Sequence, residues 1–250
     1  MRALPTLLVT SMALAAALGV LPAQATGLTS MAQCMQRISQ DPQRAREEAA
    51  QWLVLGGGAE ARACEARALE ALGARTTAAA ILVEVAADWG NGLPAFSRAA
   101  MMRDAGRLWL AEGNYVVAEQ ALTQAISIGL DDADTRVMRA EARGRQGLWS
   151  GAISDLDTAL ATHPDRADLL ALRAAARRKS GDMDGALTDA EAALALLPTY
   201  PEALFEKGAA LAVSGRIPDA LAVWFELIRL HPETEMAELA RRNMQRLAGN

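Results

Sequence analysis

The sequence predicts an all-α chain built as a stack of helical hairpins, and three observations carry that prediction. Gly113, Gly147, Gly181 and Gly215 recur every 34 residues. A second small-residue series, Gly106, Ala140, Ala174 and Gly208, keeps the same interval. Hydrophobic residues are 52% of the 250-residue chain but aromatics only 4%, which suits alanine-packed helices and argues against a β-rich core. A fixed period of this length marks units too thin to bury their own apolar face alone.

The first 25 residues read as an export signal. Arg2 supplies the positive start, Leu7 to Leu21 the apolar stretch, and Ala23-Gln24-Ala25 a small-x-small cleavage site. The apolar stretch is short for a membrane-spanning helix, which takes ~20 residues. Cleavage after Ala25 is expected, with an uncleaved anchor as the competing reading. Thr26, in place of a cysteine, argues against lipid attachment. With its Ala-rich, Arg-rich composition the protein reads as periplasmic, from a Gram-negative bacterium.

The remainder, 26–250, divides into six hairpins and a cap. A worn first unit over about 26–58 has Gln40-Asp41-Pro42 followed by Ala45, Ala49 and Trp52. A second, over 59–92, has Gly73 followed by Ala78, Leu82 and Val85. An insertion of about six residues, Trp89-Gly90-Asn91-Gly92-Leu93-Pro94, precedes the third. Units over 99–132, 133–166, 167–200 and 201–233 then share one pattern. Five residues after each spaced glycine stands Ala118, Ala152, Ala186 or Ala220. Leu122, Leu156, Ala190 or Trp224 follows after four more, and Ala125, Ala159, Ala193 or Leu227 after a further three. Intervals of four and three lay one apolar stripe on a single helical face. Tyr115, Trp149, Met183 and Ile217 plug the turn opened by the glycine. Pro164, Pro198 and Pro232 close the second helices, where a residue without an N–H cannot continue the ladder; Leu130 stands there in the third unit. A capping helix over 234–249 starts at Thr234, with Met236, Ala240, Asn243 and Leu247 inward and Glu238, Arg241, Arg242 and Gln245 outward.

Arg139 and Asp155 lie 16 apart, as do Arg173 and Asp189 at the equivalent places of the next unit. Each pair is expected to clamp the two helices of one hairpin.

This pattern resembles the tetratricopeptide repeat family. The small residue of the first helix, the turn glycine, the alanine and large apolar residue of the second helix, and the closing proline all match, most clearly from Ala99 to Leu230. The resemblance implies a right-handed superhelical solenoid whose first helices line a concave groove that binds another protein or a peptide. Placed by register, that face holds Arg103, Arg107, Met138, Glu141, Arg145, Arg178, Lys179 and Phe205. Cations outnumber anions there, which points to an acidic segment or a free carboxyl terminus as ligand. A solvated charged face is the competing reading. The family's carboxylate-clamp subclass needs paired asparagines and lysines on this face, which the protein lacks. The resemblance also sets the first helices of units one and two side by side, so Cys34 and Cys64 are expected to form a disulfide in an oxidising compartment. Trp89 and Phe96, beside the insertion, either anchor a partner or fold back over a break in the stack.

Much chemistry is disfavoured. The net charge of −5 argues against nucleic acid and anionic membranes as partners. No nucleophile elbow, phosphate-cradling glycine loop or zinc helix is present, and no cofactor or metal is expected. His163 and His231 each precede a closing proline and read as cap residues. The acidic clusters Asp131-Asp132-Asp134 and Asp182-Asp184 fall where helices begin, so capping explains them first. The expectation is a non-enzymatic interaction scaffold of the cell envelope. A purely structural subunit and an envelope hydrolase with a groove site are the alternatives.

Overall fold

The computed structural model describes residues 27–248; the export signal expected over 1–25 lies outside the described residues. Thirteen α-helices follow one another, with no strand among the described residues. They pair as antiparallel hairpins: α1 (Met31–Gln40) with α2 (Pro42–Trp52), α3 (Gly58–Ala71) with α4 (Arg75–Ala87), and α5 (Ala95–Ala111) with α6 (Tyr115–Ile128). There follow α7 (Ala133–Arg145) with α8 (Trp149–Thr162), α9 (Ala167–Ser180) with α10 (Met183–Leu196), and α11 (Pro201–Val213) with α12 (Ile217–Leu230). A single helix, α13 (Glu235–Ala248), covers α11 and α12.

Local chemistry sets the hairpin turns. Gly73, Gly113, Gly147, Gly181 and Gly215 all sit at φ between 75° and 96°, a conformation open to glycine at no steric cost. Asp41 ends α1 and starts α2, its carboxylate accepting the Arg44 N–H at 3.0 Å while Pro42 fills the first helical position. After Trp52 the backbone departs from a simple loop: Leu53–Gly57 form a π-helical turn that ends in the glycine run. The insertion between α4 and α5 is tied by Asn91, whose amide donates to the Val85 carbonyl at 2.7 Å and accepts from the Leu93 N–H at 3.1 Å.

Packing then joins the units. All twelve stripe residues of α6, α8, α10 and α12, from Ala118 to Leu227, are at most 2% exposed. Each fully buried leucine among them stabilises by ~1.5–3 kcal/mol. The apolar core is a succession of clusters, each spanning adjacent helices. The first gathers Leu28, Cys34, Ala49, Trp52, Ala61 and Cys64. Within it Cys34 and Cys64 are joined as a disulfide across α1 and α3, with Cα atoms 5.9 Å apart.

The last helix differs in detail from the expectation, while both histidines cap their helices as expected. Thr234 Oγ1 accepts the Ala237 N–H at 3.3 Å, but the buried face of α13 centres on Ala237 and Ala240. Met236, Leu239, Met244 and Leu247 flank them, and Asn243 falls at the concave edge. His163 and His231 end α8 and α12 through their backbone N–H groups. The His231 ring instead donates to the Thr199 carbonyl in the preceding loop, at 2.5 Å.

Candidate binding groove

The first helices of successive hairpins lie on one face and leave three apolar hollows between them. The N-terminal hollow, about 730 Å³, is lined by Met31, Met35, Leu82, Phe96 and Met101. The central one, about 420 Å³, has Val137, Trp149, Leu156 and Leu172 as its floor. The C-terminal one, about 580 Å³, is bounded by Phe205, Val213, Trp224, Leu239 and Leu247.

The charges of this face are largely neutralised by partners from neighbouring hairpins. Arg107 reaches back from α5 to Glu70 on α3 at 2.5 Å. Arg67 on α3 holds both Glu70 and Asp104. Burial alone would push the Glu70 carboxyl up, but the forks of Arg107 and Arg67 outweigh it and hold it below the ordinary carboxylate range. Arg103 lies between Asp132 at 3.7 Å and Asp104 at 3.8 Å. Arg178 on α9 grips Glu206 on α11 with two bonds, at 2.6 and 3.1 Å. The cationic excess read from the register therefore does not stand as free charge: Glu70, Asp104 and Glu206, absent from that reading, offset it.

Two cations remain at the rim of the central hollow. Arg145 lies 3.9 Å from Glu141, with its guanidinium 5.9 Å above the Tyr115 ring. Lys179, across the hollow, has no ion pair among the described residues. The structure thus brings Glu141, Arg145, Arg178 and Lys179 around one cavity. Arg103 and Arg107 lie apart on α5, and Met138 is half-buried on α7, outside the lining of the hollows. Phe205 is only 8% exposed, with its ring 6.4 Å from that of Trp224, so it belongs chiefly to the core.

Beneath the groove lie ion clusters richer than single pairs. Asp155, 1% exposed, accepts from Arg139 at 2.5 and 2.9 Å, from Arg136 at 3.1 Å and from Arg143 at 2.8 Å. Asp189 accepts two bonds from Arg173, at 2.7 and 2.9 Å, and lies 2.8 Å from Arg177. These clusters tie α7 to α8 and α9 to α10. The acidic clusters near helix starts act locally: Asp132 caps α7 through the Thr135 N–H at 2.7 Å, and Asp182 caps α10 through the Gly185 N–H at 2.9 Å. Among the described residues no three His, Cys, Asp or Glu side chains converge as metal ligands.

The insertion folds back and also stays exposed. Arg98 is 2% exposed, stacks 3.5 Å beneath the Trp89 ring and donates to the Asp88 carbonyl at 3.3 Å. Trp89 itself is 74% exposed, and Phe96, 71% exposed, faces the N-terminal hollow.

Stacked antiparallel hairpins with an open concave face define a helical-repeat solenoid. No family model matches the sequence, and no curated protein resembles it significantly. The structure is similar to that of YrrB, described as a TPR protein with an unusual peptide-binding site. The two share 17% identity at a TM-score of 0.60 over 73% of this chain and 91% of that one. It is also similar to MamA from Desulfovibrio magneticus RS-1, with 14% identity and a TM-score of 0.59 over 68% of this chain and 93% of that one. A further MamA structure gives 17% identity and a TM-score of 0.57 over 64% and 91%. The fold is that of a tetratricopeptide-repeat solenoid.

Proposed function

We propose that this protein is a non-enzymatic scaffold of the bacterial cell envelope that holds a peptide or partner helix in its concave groove. The observation that carries the reading is the central hollow: an apolar floor, open to solvent, with Arg145 and Lys179 weakly engaged at its rim. Such a site takes an apolar side chain into the floor and a carboxylate at the edge, so the partner is an acidic amphipathic segment. Export to the periplasm, with cleavage after Ala25, is supported by the leader-like start of the sequence and by the buried cystine, which suits an oxidising compartment.

The test compares wild-type and variant baits in capture from envelope extract, followed by titration of the partner's binding segment. Leu172→Asp puts a charge on the floor, and Arg145→Glu with Lys179→Glu reverses the rim. Loss of the same partner in both variants, with helical content unchanged, is expected. A partner that binds both variants as it binds the wild type overturns the reading. It leaves a structural subunit acting through another face.

A further inference from the structure

One edge of the solenoid changes character along its length. The loops that join successive hairpins all lie on this edge, as the antiparallel alternation of helices requires; Met31 and Phe96, near the starts of α1 and α5, line one hollow. In the C-terminal half three of the four loops carry charge: Asp131, Asp132 and Asp134, then Asp165, Arg166 and Asp168, then Glu233 and Glu235; the fourth, between α10 and α11, carries none. In the N-terminal half they carry only Asp88. The stretches 27–36, 49–59 and 89–97 hold no charged residue, in a sequence that is 22% charged. From these loops large apolar side chains project into water: Val54 is 87% exposed, Leu55 82% and Trp89 74%.

A single exposed leucine needs no explanation, but three apolar tips on adjacent loops that hold one charge between them do. Their support is firm. Val54 and Leu55 ride on the π-helical turn after α2, whose base is the buried Trp52. Trp89 is held from behind by the Arg98 guanidinium, 3.5 Å below its ring. Protruding aliphatic tips beside a tryptophan, with Asp88 as the one acid on these two loops and Arg98 packed beneath the ring, match a bilayer interface better than a protein cleft. The start of α1 lies on this same edge. The linker from Pro22 to Ser30 spans at most ~30 Å, so whenever the apolar run 7–21 occupies a membrane this edge stays close to its surface.

We propose that the edge formed by residues 53–55 and 89 docks peripherally on a lipid bilayer, by shallow insertion of Val54, Leu55 and Trp89 among the headgroups. The contact is apolar, so it requires no anionic lipid and tolerates salt. No described helix is long and apolar enough to cross a membrane, so the docking is superficial.

The test is vesicle flotation of the protein starting at Thr26, which keeps every residue of the apolar clusters. Vesicles of phosphatidylcholine and phosphatidylethanolamine are compared with the same mixture containing phosphatidylglycerol, at low and high salt. Expected is flotation with both, unchanged by salt. The double variant Val54→Asp, Leu55→Asp should lower the bound fraction at least tenfold, and Trp89→Ala several-fold. Val116→Asp, at the turn within the third hairpin and so on the opposite edge, should leave it unaltered. Circular dichroism confirms that each variant is folded. Absence of flotation, flotation only with anionic vesicles at low salt, or wild-type flotation of the Val54/Leu55 variant overturns the proposal. So does a wild-type dimer that the same variant dissolves, since a second copy is then the occupant. Retained flotation by the groove variants Leu172→Asp and Arg145→Glu separates this surface from the groove.

Discussion

Gly208 and Trp224, 16 residues apart, meet face to face between α11 and α12: a Cβ on Gly208 would collide with the indole ring. Gly106 and Leu122 repeat the relation in α5 and α6, where a Cβ would lie 2.6 Å from the leucine Cγ. Where the partner is Ala190, the small position is Ala174. The equivalent pair of α7 and α8 is Ala140 with Leu156, so the close approach is particular to the Gly106–Leu122 and Gly208–Trp224 pairs. Gly208→Ala is expected to cost about 1–3 kcal/mol by overpacking, despite alanine's better helix propensity. Urea unfolding checks it, and a stabilised variant would refute the steric argument.

Asp155 is the only carboxylate, among the described residues, within reach of Arg139. Replacing it with asparagine leaves the buried Arg139 guanidinium without a counter-charge, at an expected cost of about 3–5 kcal/mol. Replacing both with apolar residues of similar size, as in Arg139→Met with Asp155→Leu, should restore much of that loss. The comparison of chemical-denaturation midpoints decides between charge desolvation and lost packing as the cause.

The cystine closes a loop of 30 residues. In the chain-entropy model its removal destabilises by about 3–4 kcal/mol. Cys34→Ser with Cys64→Ser should therefore lower the unfolding transition of the first hairpin, read by hydrogen exchange over α1 and α2. Exchange over α9 to α12 should remain as in wild type.

Acid should weaken the joint between the second and third hairpins. The Glu70 carboxyl has a lowered value in the folded protein, so its contribution is present above the unfolded value of ~4.3 and fades as the pH falls through the lower folded one. The thermal stability gap between wild type and Glu70→Gln should be open at neutral pH and close in acid. A gap that keeps its size down to the lowest pH at which both fold would sink this reading.

The hairpins were legible because their determinants are local. A left-handed glycine, an alanine five residues on and an apolar residue four further specify a helix pair without reference to the rest of the sequence. The joint at the insertion was less so. Glu70 meets Arg107, and Arg67 meets Asp104, each 37 residues away, whereas Gly73 and its equivalent Gly113 are 40 apart. That offset depends on how two hairpins slide against each other, which no local spacing encodes. Hence register placed Glu141, Arg145, Arg178 and Lys179 on the groove but missed the acids that share the face. Phe205, placed on the groove by register, does bound its C-terminal hollow, although most of its ring is buried beside Trp224. The π-turn at Leu53–Gly57 leaves only the glycine triplet as its trace in the sequence.

The N-terminal apolar cluster encloses the cystine and holds no residue beyond Cys64, while the next cluster begins at Ala66. Cohesion in a ribbon of this kind is a property of nearest neighbours. Severing the sulfur bridge therefore loosens one terminal leaf and leaves the others bound. That leaf carries Val54 and Leu55, so a reducing milieu would shorten the ordered molecule by one module and unfasten its greasiest corner.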